Sequence, residues 1–219
     1  MLDSLTRTVG LCGFKGSGKD TAADYLVSKY GYAKVSLADP IKRVCHEIFA
    51  FPKDHLWGPS ELRERPDERY PFSGLDPVDG MPLDKVALDT SRFWQRGSDG
   101  EFFPQFISPR LALQSLGTEW GRRICPNIWV AACLNYIRQT GDDRHAIPDV
   151  RFVNELTSIQ GAGGVVIRLL RGERTSTHPS ELELEGIPLE SFDFVIDNNS
   201  SKEHLFLCLD QVMEEILHR

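Results

Sequence analysis

No run of about 18 apolar residues occurs in this sequence, which excludes a membrane-spanning helix. The opening stretch MLDSLTRTVGLCG puts no long apolar segment behind a basic start, so no signal peptide is expected. Basic charge is in the minority. Twenty-five Lys and Arg face 32 Asp and Glu, for a net charge of −7. A chain of that balance does not coat nucleic acid, which needs a broad basic face. Any anionic ligand must be held by local cations. C-x-x-C spacing is absent. The five cysteines (Cys12, Cys45, Cys125, Cys133, Cys208) are odd in number and scattered. They read as reduced thiols of a cytosolic protein rather than a disulfide framework or zinc site. The histidines (His46, His55, His145, His178, His204, His218) show no metal-ligand spacing and force no Ser-His-Asp arrangement. Internal repeats and low-complexity tracts are also absent.

What remains is a chain of 219 residues with ordinary composition, enough for one domain with one large core or one domain carrying an insertion. TVGLCG (8–13) reads as a short buried strand, and DTAADYLVSKY as the helix after it. YAKVSL (32–37) is a second strand. DPIKRVCHEIFAF is a helix with Asp39 as its N-cap and Pro40 at its first position. From about 52 to 107 the chain turns rich in Pro, Gly and charge. A structureless loop that long is uncommon in a compact domain. It reads as an insertion with short helices, a substrate-covering segment or flap. The alternative is a disordered excursion. Trp57, Tyr70, Phe72, Phe93, Trp94, Phe102, Phe103 and Phe106 argue against that.

Helical signals resume at SPRLALQSLGTEW, with Ser108 as a cap and Pro109 in the first turn, and PNIWVAACLNYIRQ reads as a buried helix. RHAIPDV (144–150) is a strand ending in Pro148-Asp149, followed by a short helix at VNELTSIQGA. GGVVIRLLR (163–171) and FDFVIDN (192–198) are further strands. The last helix carries Ser200 and Glu203 at capping-box spacing. Strands alternating with helices imply a parallel α/β sheet of about five strands.

The chemistry concentrates in GFKGSGKDT, Gly13 to Thr21. Such a loop, between a buried strand and a helix, turns backbone N–H groups and the helix N-terminus toward phosphate oxygens. Gly13, Gly16 and Gly18 clear side chains from that approach, and Lys19 sets a cation against the β- and γ-phosphates. Asp20 stands where most such loops place the hydroxyl that meets magnesium. Its carboxylate can order a water on the metal or cap the helix. Thr21 can still touch a phosphate. Lys15 reads equally as a solvated side chain or as a contact between donor and acceptor phosphates. In IPDVRFVNE, Asp149 falls at a strand end, where α/β sheets bind ligands, and Arg151 follows two residues on. Asp149 can hold magnesium or the acceptor, and Arg151 can pair a phosphate through two N–H bonds. The bland alternative is a local Asp–Arg ion pair. Lys42, Arg63, Arg65, Arg69, Arg110, Arg122 and Arg123 supply the cations that phosphoryl transfer requires. Glu181, Glu183 and Glu185 alternate along a solvated face.

The ordered set GFKGSGKDTAADYL, ADPIK, LQSLGTEWGR, NIWV and PDVRFVNE resembles the deoxynucleoside monophosphate kinases encoded by bacteriophages. THPSE and DFVIDNNSSKEHL, near the C-terminus, extend the likeness over nearly the whole chain outside the insertion. The resemblance implies a single P-loop kinase domain over 1–219 with the insertion at about 52–107. Its fold would be a three-layer α/β sandwich around a parallel five-stranded sheet. It implies transfer of the ATP γ-phosphate to a deoxynucleoside monophosphate with Mg²⁺, in the cytoplasm (the host's, if phage-encoded), by an enzyme known as a homodimer in the family. Gly13, Gly16, Ser17, Gly18, Lys19, Asp20, Thr21, Gly117 and Thr118 would bind ATP. Lys15, Ile41, Lys42, Arg69, Arg110, Trp129, Asp149, Arg151 and Glu155 would line the acceptor site, with Trp129 as a stacking face for the base. Lys19, Arg110, Asp149 and Arg151 would carry catalysis, with Asp20 and Asp149 near the metal. Neither a membrane nor nucleic acid is an expected partner. Two rival readings are a P-loop kinase for dephospho-coenzyme A or a ribonucleotide, and a nucleotide-binding regulator without turnover.

Overall fold

The computed structural model describes residues 5–70, 94–96, 102–104, 107–142, 144–172 and 184–218. The chain divides into two compact units, one formed by 1–40 with 121–219 and the other by 41–120.

The first unit is a five-stranded parallel sheet. Its strands are β1 (Val9–Cys12), β2 (Ala33–Lys34), β5 (His145–Val150), β6 (Val165–Leu170) and β7 (Phe194–Asp197), in the order β2-β5-β1-β6-β7. Helices α1 (Lys19–Tyr30), α6 (Ile128–Thr140), α7 (Val153–Gly161) and α8 (Lys202–Leu217) flank it. The central strands are apolar on both sides, as parallel strands covered on two faces must be. Alternation sorts their side chains. Val9, Leu11, Val165, Ile167 and Leu169 pack with Ala22, Leu26, Leu205, Leu209 and Met213 of α1 and α8. Cys12 and Val166 point the other way, among Val130, Leu134, Ile137, Leu156 and Ile159 of α6 and α7. Chain order reverses about β1, whose neighbours are β5 and β6. That reversal opens the crevice in which such sheets bind ligands.

Some details differ from the expectations. β2 is confined to Ala33–Lys34, short of the expected 32–37. β5 covers His145–Val150, within the expected 144–150, and runs through Pro148. Its register against β1 slips, from Gly10 opposite Ile147 to Cys12 opposite Val150. Pro148 has no N–H for the ladder, so a bulge there lets the strand continue. In α8 the cap is Ser201, whose hydroxyl accepts from the amide of His204, one residue beyond the expected Ser200.

The second unit begins within α2 (Asp39–Phe49) and holds the short helices α3 (Lys53–Trp57) and α4 (Ser60–Arg63). Asp39 lies inside the first turn of α2, and its carboxylate accepts from the amide of Ser36 at 2.8 Å. Phe49, Phe51 and Tyr70 pack ring against ring, with centroids 5.7–5.8 Å apart. Ile107 then closes the stem of the insertion. It accepts from the amide of Asp67 at 3.0 Å and donates to Tyr70 O at 2.9 Å. Strands β3 (Trp94–Arg96) and β4 (Phe102–Pro104) form an antiparallel pair that the sequence did not announce. The expectations placed on Phe72, Phe93, Phe106, His178, Glu181, Glu183 and THPSE lie outside the described residues. Helix α5 (Pro109–Gln114) starts as expected, with Ser108 Oγ accepting from Leu111 N and Pro109 in the first turn. It passes into a π-helix over Ser115–Arg122, a rare form found mostly at functional sites.

Candidate active site

The glycine loop joins β1 to α1 at the point where the strand order reverses. Gly18 occupies the N-cap of α1 at φ +98°, a conformation that only glycine adopts without strain. An added Cβ would come within 2.5 Å of Asn198 Nδ2. That amide donates to Ser17 O at 2.9 Å and pins the loop to the end of β7. At Gly13 a Cβ would meet Ser17 Oγ and the carbonyl of Leu169. The chain is therefore packed tightly on its inner side. Lys19 folds over the loop and donates to Gly13 O and Phe14 O, both at 2.7 Å. Ser17 is buried, and its hydroxyl has no hydrogen-bond partner among the described residues. Lys15 and Gly16 are exposed. Asp20 does not cap α1, since Gly18 holds that place. Its carboxylate, 84 % exposed, pairs instead with Lys34 at 3.1 Å, and Lys34 also reaches Asp24. Burial works against the Lys34 charge, yet the hydrogen bonds it donates to Asp24 and Asp20 hold its pKa above the usual value. Thr21 is half-buried in the first turn of α1.

The end of β5 lies beside the loop, because Cys12 and Val150 are paired in register. Asp149 accepts from Ser36 Oγ at 2.5 Å and from Leu37 N at 3.0 Å, tying β5 to the loop after β2. The local Asp149–Arg151 ion pair is not formed. Arg151 is exposed, and its guanidinium makes no hydrogen bond or ion pair among the described residues. Only its backbone amide is engaged, with Glu155 Oε2 at 2.8 Å. Glu155, expected at the acceptor, is instead 5 % exposed and turned inward. It accepts from the amides of Arg151 and Phe152 at the start of α7 and from Arg122 Nη2 at 3.1 Å. Burial raises its pKa, against those hydrogen bonds and the Arg122 charge. Arg122 also lies over the Phe152 ring at 4.2 Å. Trp129, expected as a stacking face for the base, is 8 % exposed, and its ring covers the backbone of Gly121 so closely that a Cβ there would meet it at 2.4 Å.

The second unit carries the remaining candidates. Ile41 is buried, and Gly117 packs against it, with room for a Cβ only at 3.2 Å from Ile41 Cδ1. Thr118 is exposed on the π-helix. Lys42 stands 5.8 Å from the centroid of Trp57. Arg110 is ion-paired with Glu64 at 2.7 Å, and Arg69 with Asp67 at 2.6 Å. Arg63 serves the fold, donating to Leu56 O and Gly58 O.

Ser36, Asn198, Arg122 and Lys34 were not singled out as site residues from the sequence, apart from the membership of Arg122 in the arginine set. Ser36 and Asn198 each follow a strand end, the one signal that pointed to them. Among the described residues no three His, Cys, Asp or Glu side chains could hold a metal ion together. No helix among the described residues is long and apolar enough to cross a membrane.

A family model described as deoxynucleotide monophosphate kinase matches residues 7–60. A putative deoxynucleotide monophosphate kinase of Acanthamoeba polyphaga mimivirus is 32% identical over 212 residues, covering 90% of this chain and 91% of that protein. The deoxynucleotide monophosphate kinase of Escherichia phage RB69 is 28% identical, covering 93% and 98%. That of Enterobacteria phage T4 is 27% identical, covering 91% and 95%. Among solved structures, a dephospho-CoA kinase from Campylobacter jejuni aligns over 97% of this chain and 98% of its own, at 16% identity and a TM-score of 0.46. At that distance it bears on neither fold nor substrate.

Proposed function

Because the chain belongs to the deoxynucleotide monophosphate kinase family, we propose that it moves the γ-phosphoryl group of ATP to a deoxynucleoside 5′-monophosphate. An oxygen of the acceptor phosphate bonds to the γ-phosphorus, the bond to the β-phosphate oxygen breaks, and ADP leaves. The products are ADP and a deoxynucleoside diphosphate. The acceptor is already anionic, so the reaction needs no strong general base. It needs positioning and a countercharge for the oxygens around the transferring group.

The observation that carries this reading is the loop Gly13–Thr21, set between buried β1 and α1 where the strand order reverses, with Lys19 lying across it. Its amides and the start of α1 would hold the ATP phosphates. On entry of ATP, Lys19 would exchange its two carbonyl partners for phosphate oxygens. The buried Ser17 hydroxyl is a further donor without a present partner among the described residues. Mg²⁺ would supply charge neutralisation between the β- and γ-phosphates. Asp20 and Asp149 are the carboxylates proposed to order water on it. Arg151, exposed beside the loop and with its guanidinium unengaged among the described residues, is the first cation proposed for the transferring phosphoryl group. Lys42 and Arg110 are proposed for the acceptor phosphate, with Arg110 leaving Glu64 for it. Glu155 acts at one remove, by fixing the Arg151 backbone and Arg122.

The test is ADP release from Mg·ATP with each deoxynucleoside monophosphate, each ribonucleoside monophosphate and dephospho-coenzyme A. Turnover with deoxynucleotides is expected. Turnover only with a ribonucleotide or dephospho-coenzyme A would move the substrate, and ATP binding without any turnover would leave a regulator.

A further inference from the structure

Arg168 is a charged side chain inside the sheet that no step above uses. It is 4 % exposed in the interior strand β6. In the β1–β6 pairing it stands opposite Cys12, the residue before the glycine loop. Its Nη1 lies 3.7 Å from Cys12 Sγ. The guanidinium carbon is 4.8 Å from the ring centroid of Phe14, the second residue of the loop, and 5.7 Å from that of Phe192. Its Nε has no hydrogen-bond partner, and no carboxylate pairs with it, among the described residues.

Folding alone does not account for such a residue. A buried charge without a counter-ion is costly, and apolar residues of similar volume commonly do as well or better. Two aromatic faces offset part of that cost through cation–π attraction. One of those faces is the loop itself, so the charge and the loop are mechanically joined. Lys19 adds a second cation at the same place. Burial raises the pKa of the Cys12 thiol, the charges of Arg168 and Lys19 oppose that rise, and the Glu155 carboxylate adds to it. Two positive charges thus act at the end of β1 against the one carboxylate felt there, and the buried Arg168 is little screened by salt.

We infer that Arg168 is a positioning residue for the nucleoside triphosphate, its buried charge and its contact with Phe14 preparing the loop for a polyphosphate. The inference rests on the reading of Gly13–Thr21 as the ATP loop. No carboxylate among the described residues pairs with the guanidinium, so an arriving polyphosphate would offset the cost of burying it, and that cost is recovered in affinity for the ligand.

Arg168→Met keeps length and apolar bulk and removes the charge, while Arg168→Lys keeps the charge. Calorimetric titration of each full-length variant with ATP, alongside steady-state kinetics and thermal unfolding, separates the roles. Arg168→Met is expected to raise the Kd and KM for ATP about tenfold, equal to ~1.4 kcal/mol. The KM for the deoxynucleotide acceptor should stay within about twofold, and the variant should unfold at or above the wild-type temperature. Arg168→Lys should restore most of the ATP affinity. If Arg168→Met does not fold, Arg168→Gln is read in the same way. Unchanged ATP affinity in the charge-free variant overturns the inference and leaves the kinase reading intact. So does a loss shared equally by ATP and acceptor, or a loss as large in Arg168→Lys. Wild-type protein that does not bind ATP overturns both.

Discussion

Replacing Gly18 with alanine should strain the glycine loop in two separate ways. At φ +98° a side chain is forced into a conformation that L-residues avoid, which costs ~1–2 kcal/mol. The new Cβ would also stand 2.5 Å from Asn198 Nδ2, too close to remain. Asn198 is only 4 % exposed, so its amide has little room to swing, and moving it breaks the 2.9 Å bond to Ser17 O. Leaving a buried carbonyl without its donor costs a further ~1–3 kcal/mol. The sum is a loss of about 2–5 kcal/mol, readable as a shift in the urea midpoint at unchanged slope. The two parts can be divided. Asn198→Ala alone removes the hydrogen bond and should cost ~1–3 kcal/mol. In the double variant that bond is already gone, so the combined loss should fall short of the sum by the worth of the bond, ~1–3 kcal/mol. ATP affinity should drop with Gly18→Ala, because the strain sits where the phosphates bind. A Gly18→Ala protein as stable as wild type, or strictly additive losses in the cycle, would refute the argument that Asn198 holds the loop.

Arg151→Met should separate function from stability. Its guanidinium is unengaged among the described residues, so stability should change by less than about 0.5 kcal/mol, while kcat/KM should fall about a hundredfold if it meets the phosphoryl group. Retained kcat/KM would remove Arg151 from the reaction. Ser36→Ala removes the hydroxyl that donates to Asp149, and bonds to charged acceptors contribute ~1.5–3 kcal/mol, so thermal unfolding should show a loss of that order. No change in unfolding would mean that Asp149 does not tie β5 to the loop after β2. Burial raises the Glu155 pKa in the folded protein, so its ionisation opposes folding. The stability it allows is complete below its unfolded pKa and diminishes as pH rises through the folded value. Unfolding midpoints of Glu155→Gln should therefore gain on those of wild type as pH rises from about 4, the ordinary range of a glutamate. A gap that narrows over that range would reverse the sign assigned to Glu155.

Much of this was legible because the signals were local. The glycine loop, the buried strands and the Ser108-Pro109 helix start are written in adjacent residues, and each appears where its pattern placed it. The rest depends on long-range packing. Proline breaks a ladder, yet a bulge between two neighbouring strands lets β5 run through Pro148. Glu155 and Trp129 belong to stretches matching the family, but only the folded chain turns the carboxylate onto its own helix start and the indole onto Gly121. Asp20, on α1, was left between two roles because its partner, Lys34, lies on strand β2. Ser36 and Asn198 are short polar residues in polar stretches and carry no periodic signal. Their importance comes from contacts 113 and 181 residues away in sequence. The π-helix over Ser115–Arg122 has no pattern that distinguishes it from a continued α-helix.

The most direct measurement is to incubate the protein with Mg²⁺ and ATP labelled at the γ-phosphate, add one deoxynucleoside monophosphate at a time, and separate the nucleotides. Label in the matching deoxynucleoside diphosphate, with an equal amount of ADP, is the result expected of the proposed kinase. Label that stays in ATP with every acceptor, or that appears only as free phosphate, would contradict it.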